Sequence, residues 1–285
     1  MRLLAFAREG SPALGLRVGD EVVDLTAEGL PATLSALLAQ GHDALASAQA
    51  AAKRARSRRP LAGVTYLPPI VPGKAIAVGL NYVDHAAESP YKNAPSYPVL
   101  FQRYPQSWVA HDADLVRPHV SEQFDYEGEM VVVIGKAGRY IAKERALEHV
   151  AGYSIFNDGS IRDYQFKSTQ WMMGKNFDAT GAFGPEVVTA DELPEAARGL
   201  TLRTRLSGRE LQNANTRDMI FDVPTLVAVC SEAMTLHSGD IIISGTPSGV
   251  GFARKPPIFM KAGDVCEVEI EGIGVLRNRV VDERR

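Results

Sequence analysis

The segment DYEGEMVVVIGK, residues 125–136, constrains the fold more than any other stretch of the chain. From Met130 to Ile134 it is apolar without interruption, and side chains on a strand point alternately to opposite faces. Glu127, Glu129, Val131 and Val133 would therefore share one face, and Met130, Val132 and Ile134 the other. A strand that is apolar on both faces needs cover on both sides, so the pattern predicts a buried central strand. Two carboxylates on its inner face would repel each other and carry a large desolvation cost unless a cation compensates. The alternative is that the start of the strand opens into solvent and both glutamates are exposed. The segment by itself leaves both readings open.

Much of the remaining chain also favours extended structure. KAIAVGL, LTLRTRL, GDIIISG, DVCEVEI and GVLRNRVV carry β-branched residues bounded by Gly, Pro or Asp, and 25 glycines and 17 prolines point to many turns. Residues 1–25 read as a meander with a turn at Gly19-Asp20. From Pro31 onward, Leu34, Leu37, Leu38 and Leu45 are spaced for a helix with one apolar face. The stretches 143–150 and 222–237 are the other predicted helices, the second with Asp222 as cap, Pro224 in its first turn and Gly239 at its stop. LPPIVPGK, residues 67–74, holds three prolines and is the predicted linker. Strands without regular helical alternation predict an α+β, mainly β fold. Its expected parts are a small N-terminal domain, 1–70, and a larger domain, 71–285.

Composition excludes several function classes. In 285 residues, 45% are hydrophobic and 23% charged, the mix of a globular protein. A formal charge of −3 is too small for a nucleic-acid binder, and KRARSRR, 53–59, reads as a solvated helix end. No apolar run approaches the ~20 residues of a membrane span, and MRLLAFAREG lacks the features of a secretory signal. Cys230 and Cys266 read as reduced, buried thiols, so the expected location is cytoplasmic.

Further chemistry-bearing residues join the two glutamates. Asp158 follows the apolar run GYSIF and sits between the turn residues Asn157 and Gly159. Three oxygen ligands with no Cys or His cluster imply a hard cation, Mg²⁺ first and Mn²⁺ or Ca²⁺ next, with about half of an octahedral shell left for substrate and water. In NYVDHAAE, His85 and Glu88 are spaced so that a helical turn lets the carboxylate orient the imidazole as a general base; the same spacing also suits a plain surface pair. Lys175, in MMGKNFD, is either exposed or placed to stabilise developing negative charge. SGTPSGVG, 244–251, lacks the lysine of a nucleotide-phosphate loop, but its N–H groups suit a small carboxylate.

GLNYVDHAAE, DYEGEMVVVIGK, GYSIFNDGSIRDYQ, KNFDATGAFGP, ANTRDMIF and GDIIISGTPSGVG, in this order, resemble the sequence blocks of the fumarylacetoacetate hydrolase superfamily. The resemblance runs from about Ile76 to the C-terminus. It implies a mixed β-roll C-terminal domain, a homodimer, and one divalent ion on Glu127, Glu129 and Asp158. It also implies a water-activating pair, His85 and Glu88, a catalytic Lys175, and substrate contacts from Gln165, Thr246 and Arg103. Arg103 stands where a lysine is usual, and Thr180 and Ala182 replace a common aromatic and proline. The expected activity is divalent-metal-dependent hydrolysis of a carbon–carbon bond in a 1,3-diketo acid of the acylpyruvate type, in aromatic catabolism. Decarboxylation of a 2-oxo acid, tautomerisation of a hydroxymuconate and ureidoglycolate-type lysis are alternatives on the same site, and a silent binding protein is the alternative of another class. Residues 89–106, with four prolines and three tyrosines, read either as an active-site cover or as a fixed loop at a dimer interface.

Overall fold

Every residue of the strand Gly128–Ile134 is buried in the computed structural model, which describes residues 1–84 and 95–284. The strand lies inside a large mixed sheet, between the antiparallel strands Val150–Asn157 and Ile241–Ile243. Its alternation divides the core as the pattern predicts. Met130, Val132 and Ile134 pack with Leu202, Val268 and Leu276 of a second sheet and with Leu226 and Val227 of the helix Val223–Ala233. Val131 and Val133 pack in the other direction, with Leu34, Leu37, Ala48 and Ala51.

Those last residues belong to the N-terminal part, which is joined to the rest by backbone as well as by core. The strand Arg2–Arg8 pairs antiparallel with Gly181–Thr189, setting Leu3 opposite Val187. The meander of residues 1–25 is present as Arg2–Arg8, Ser11–Val18 and Glu21–Asp24. The large sheet therefore runs from this meander through the central strand to Ala75–Gly79 and the edge strand Val99–Gln102. The second sheet holds Arg209–Asn215, Thr201–Leu206, Val265–Ile270, Gly274–Asp282 and Leu115–Arg117. Parallel pairs, such as Ile241–Ile243 with Ala75–Gly79, occur beside antiparallel ones, so the expected mainly β, mixed architecture is what the chain forms.

Helices depart from the sequence pattern in detail. The single helix predicted after Pro31 is two, Leu34–Leu38 and Ala44–Arg54, because Gly41 takes a left-handed φ of 96° between them. The basic tract begins at the end of the second helix, and Arg58 and Arg59 then leave it to form ion pairs with Glu21 and Asp24. Residues 143–149 wind as a 3₁₀ helix rather than an α-helix. Asp222 caps its helix as predicted, accepting from the Thr225 N–H, but the helix ends at Ala233 and not near Gly239. The chain turns out early because Leu236 exchanges backbone hydrogen bonds with Gly138. Part of 89–106 is regular: Val99–Gln102 pairs with Ala75–Gly79 at the sheet edge, where neighbouring prolines are tolerated. Residues 89–94 lie outside the described residues.

Candidate metal centre and active site

The pairing of two strands builds the acidic cluster. Gly128 lies opposite Asn157, so Glu127 and Asp158, one step beyond each, meet at the same end of the sheet. The Asp158 N–H donates to the Glu127 carbonyl at 2.8 Å, and the Glu127 N–H donates to Asn157 Oδ1 at 3.0 Å. Glu129 is on the strand itself, and one of its oxygens accepts from the Gly245 N–H at 2.5 Å. All three acids are buried, and one oxygen from each lies within 4.8 Å of the others. The solvent-exposed alternative for the two glutamates is thereby excluded.

Cations meet the acids from a pair of short helices. Lys175 ends the helix Met172–Lys175, and its Nζ donates to Glu127 Oε2 at 2.6 Å and to Asp158 Oδ2 at 2.5 Å. Arg162 opens the helix Arg162–Gln165, where its Nη2 lies 2.7 Å from Glu127 Oε1 and 2.8 Å from Asp125 Oδ2. Its Nη1 donates to Gln165 Oε1 at 2.9 Å. The two helices touch through Gly174, where any Cβ would collide with the Gln165 backbone. Burial alone would lower the Arg162 pKa, but the charges of Asp125 and Glu127 outweigh it and hold the guanidinium above its ordinary value.

These groups form the floor of a cleft. Val78, Leu80, Phe101, Trp171 and Phe252 supply apolar wall, and Gln165 and Thr246 reach the same space. The Thr246 hydroxyl donates to the Gly128 carbonyl at 3.0 Å and accepts from Gln212 Nε2 at 2.9 Å, which ties its loop to the central strand. Arg103 sits beneath the acids with no exposed side-chain surface, and its Nη1 donates to Asp158 Oδ1 at 2.6 Å. Glu127, Glu129, Asp158, Gln165, Lys175 and Thr246 thus converge as a set. His85 and Glu88 lie outside the described residues. Sequence reading did not single out Arg162 or Asp125; both stand within the motifs DYEGE and SIRDYQ, but nothing in the spacing says that they meet.

A family model described as fumarylacetoacetate (FAA) hydrolase C-terminal matches residues 74–281. The chain belongs to the fumarylacetoacetate hydrolase superfamily. Among its relatives in this superfamily, mitochondrial oxaloacetate tautomerases of Homo sapiens and Xenopus laevis are 39% and 38% identical to it. The matches span 99% of this chain and 92% and 90% of those proteins. The solved structure of a fumarylacetoacetate hydrolase from psychrophilic Exiguobacterium antarcticum has a TM-score of 0.87 at 36% identity, covering 99% of this chain and 100% of that one. A maleylpyruvate hydrolase from Sphingobium sp. SYK-6, solved in complex with manganese(II) and pyruvate, has a TM-score of 0.82 at 29% identity, with 100% of both chains covered.

The residues present fit a hard divalent cation. The donors are all carboxylate oxygens, the set such ions prefer. Four buried carboxylates, Asp125, Glu127, Glu129 and Asp158, face three buried cationic side chains, Arg103, Arg162 and Lys175, so negative charge is in excess. Glu129 feels this crowding directly. Burial, and then the charges of Asp158 and Glu127, push its carboxyl well above the ordinary range. A divalent cation among these oxygens would relieve that repulsion.

Proposed function

We propose that the chain is a divalent-cation-dependent enzyme that forms and reprotonates the enolate of a small 2-oxo acid, with keto–enol tautomerisation of an oxaloacetate-like dicarboxylate as its reaction. The observation that carries this reading is the buried triad of Glu127, Glu129 and Asp158, with the Lys175 and Arg162 cations fixed on the same cleft floor. Such a floor stabilises negative charge on oxygen, which is what an enolate carries. The tautomerase names of relatives matched over nine-tenths of their length support this reaction over others. A divalent ion on the triad, Mg²⁺ or Mn²⁺, would supply Lewis-acid polarisation of the 2-oxo oxygen and the neighbouring carboxylate.

The protein's own groups account for the rest. Lys175 brings an ammonium to the side of the cleft where charge develops, held in place by Glu127 and Asp158. Arg162 and Gln165, locked to each other, present donors for a substrate carboxylate. The walls of Val78, Phe101 and Trp171 limit bulk water and so strengthen these interactions. By its place in the sequence His85, with Glu88, is the base that takes the proton from the carbon next to the 2-oxo group; the C–H electron pair becomes the carbon–carbon double bond, the C=O π pair moves onto the oxygen, and that oxygen is then protonated. We also propose a homodimer in which the exposed Tyr104, Met172 and Met173 are covered by the second copy, with sedimentation equilibrium reading the mass.

Hydrolysis of a 1,3-diketo acid is a second reading, favoured by the His85–Glu88 spacing and by the likeness to two hydrolase structures. It needs the same floor and a water in place of the direct proton transfer. Ketonisation of enol oxaloacetate, followed by loss of the enol's ultraviolet absorbance, and cleavage of acetylpyruvate, followed by pyruvate release, separate the two. Metal-dependent ketonisation well above the acetylpyruvate rate is expected. Acetylpyruvate cleavage without ketonisation would move the assignment to the hydrolase.

A further inference from the structure

Arg103 follows the edge strand Val99–Gln102, and its guanidinium is shut in behind Asp158 with 0% side-chain exposure. A buried guanidinium persists only when acceptors surround it. Here Nη1 donates to Asp158 Oδ1 at 2.6 Å and to the Gly159 carbonyl at 3.0 Å. Nε donates to Ser107 Oγ at 3.1 Å and Nη2 to the Ser107 carbonyl at 3.2 Å. The Ser107 hydroxyl in turn donates to the Tyr104 carbonyl at 2.7 Å, so the far end of the fork is anchored in a closed turn. The Phe156 ring lies 5.5 Å from the guanidinium, and at Gly181 a Cβ would stand 2.5 Å from Nη2. The space is shaped for a planar fork.

We propose that Arg103 is the positioning residue of Asp158. The carboxylate has two oxygens with separate partners: Oδ1 on Arg103, and Oδ2 on the side of Glu127, where Lys175 joins the two acids. Holding Oδ1 stops the carboxylate from turning and keeps Oδ2 on the side of Lys175 and Glu127. Residues behind metal ligands commonly set ligand orientation in this way. A side chain with no exposed surface has no N–H to offer a substrate, so Arg103 acts through Asp158. A lysine would keep the charge but place it at one point, losing the simultaneous grip on Asp158, Gly159 and Ser107. The inference rests on reading Glu127, Glu129 and Asp158 as the cation's ligands.

The test is Mn²⁺ binding to chelator-treated protein, read by electron paramagnetic resonance, for the wild type, Arg103→Lys and Ser107→Ala. Arg103→Lys isolates geometry, because the charge is kept. Its dissociation constant is expected to rise ~10–100-fold, with an altered bound-Mn²⁺ spectrum, and Ser107→Ala should shift the same way by a smaller factor. Wild-type Mn²⁺ affinity in Arg103→Lys overturns the proposal. So does a lowered Tm with affinity intact, which makes the residue merely structural, or a change confined to KM, which makes it a substrate contact. If Arg103→Lys does not fold, Ser107→Ala decides, and unchanged affinity there overturns the proposal. A wild type that binds no Mn²⁺ removes the ligand reading itself, and is seen before any variant is made.

Discussion

Lys175 shares its ammonium between Glu127 and Asp158 at 2.6 and 2.5 Å, so on the proposed function it would compete with a divalent ion for these two acids. Two substitutions at this point should move cation affinity in opposite directions. Lys175→Met removes the competing charge: Mn²⁺ should bind several-fold more tightly in calorimetric titration while turnover collapses. The metal-free variant should lose about 3–5 kcal/mol of stability, the usual cost of orphaning buried partners. Glu129→Gln removes a ligand, and both Mn²⁺ binding and turnover should be lost. Equal affinities in the two variants would break the assignment. The acids were legible in the sequence because an i,i+2 pair opens an apolar strand and a third acid follows another apolar run. Arg162 and Asp125 were not, because spacing along a chain does not reveal which charges meet across elements. His85 rests on the sequence alone. His85→Ala should leave Mn²⁺ affinity intact and slow turnover ~10²–10⁴-fold, the range of general-base catalysis.

Among the elements, the strand Gly128–Ile134 was the most legible, because period-two alternation with both faces apolar has one physical solution. Helix ends were the least legible. The helix after Asp222 stops at Ala233 because a backbone bridge between Leu236 and Gly138 competes for the chain, and no local propensity encodes that bridge. The two short helices that carry Arg162 and Lys175 are too brief to show a period at all. Element packing also fixes the cleft wall. At Gly79 a Cβ would enter the Trp171 ring, and Trp171 stacks edge-on to Phe101 with centroids 5.6 Å apart. Gly79→Ala should displace the indole, shift the tryptophan emission and raise KM, with Mn²⁺ affinity unchanged. Unaltered emission and KM would show that the wall does not depend on this contact.

Across the whole molecule, the mainly β architecture follows from the turn-rich, β-branched sequence, while the joining of residues 1–70 to the large sheet depends on long-range pairing that a proline-rich segment conceals. Because Leu3 pairs with Val187 and the helices of residues 34–54 pack on Val131 and Val133, the two parts should unfold together. Urea denaturation followed by far-ultraviolet dichroism and by tryptophan emission should give coincident single transitions. Two separated transitions would mean that the shared sheet does not couple them. That shared framework brings strand, loop and short helices to one acidic floor, which on the proposed function needs a divalent ion to turn over a 2-oxo acid. The most direct measurement is ketonisation of enol oxaloacetate by chelator-treated protein as Mn²⁺ is titrated back, against controls with Mn²⁺ alone and with Asp158→Asn. The rate should rise above the Mn²⁺ control and saturate at one ion per chain, with Asp158→Asn remaining at the control. A rate indifferent to Mn²⁺, or fully retained in Asp158→Asn, would contradict the account.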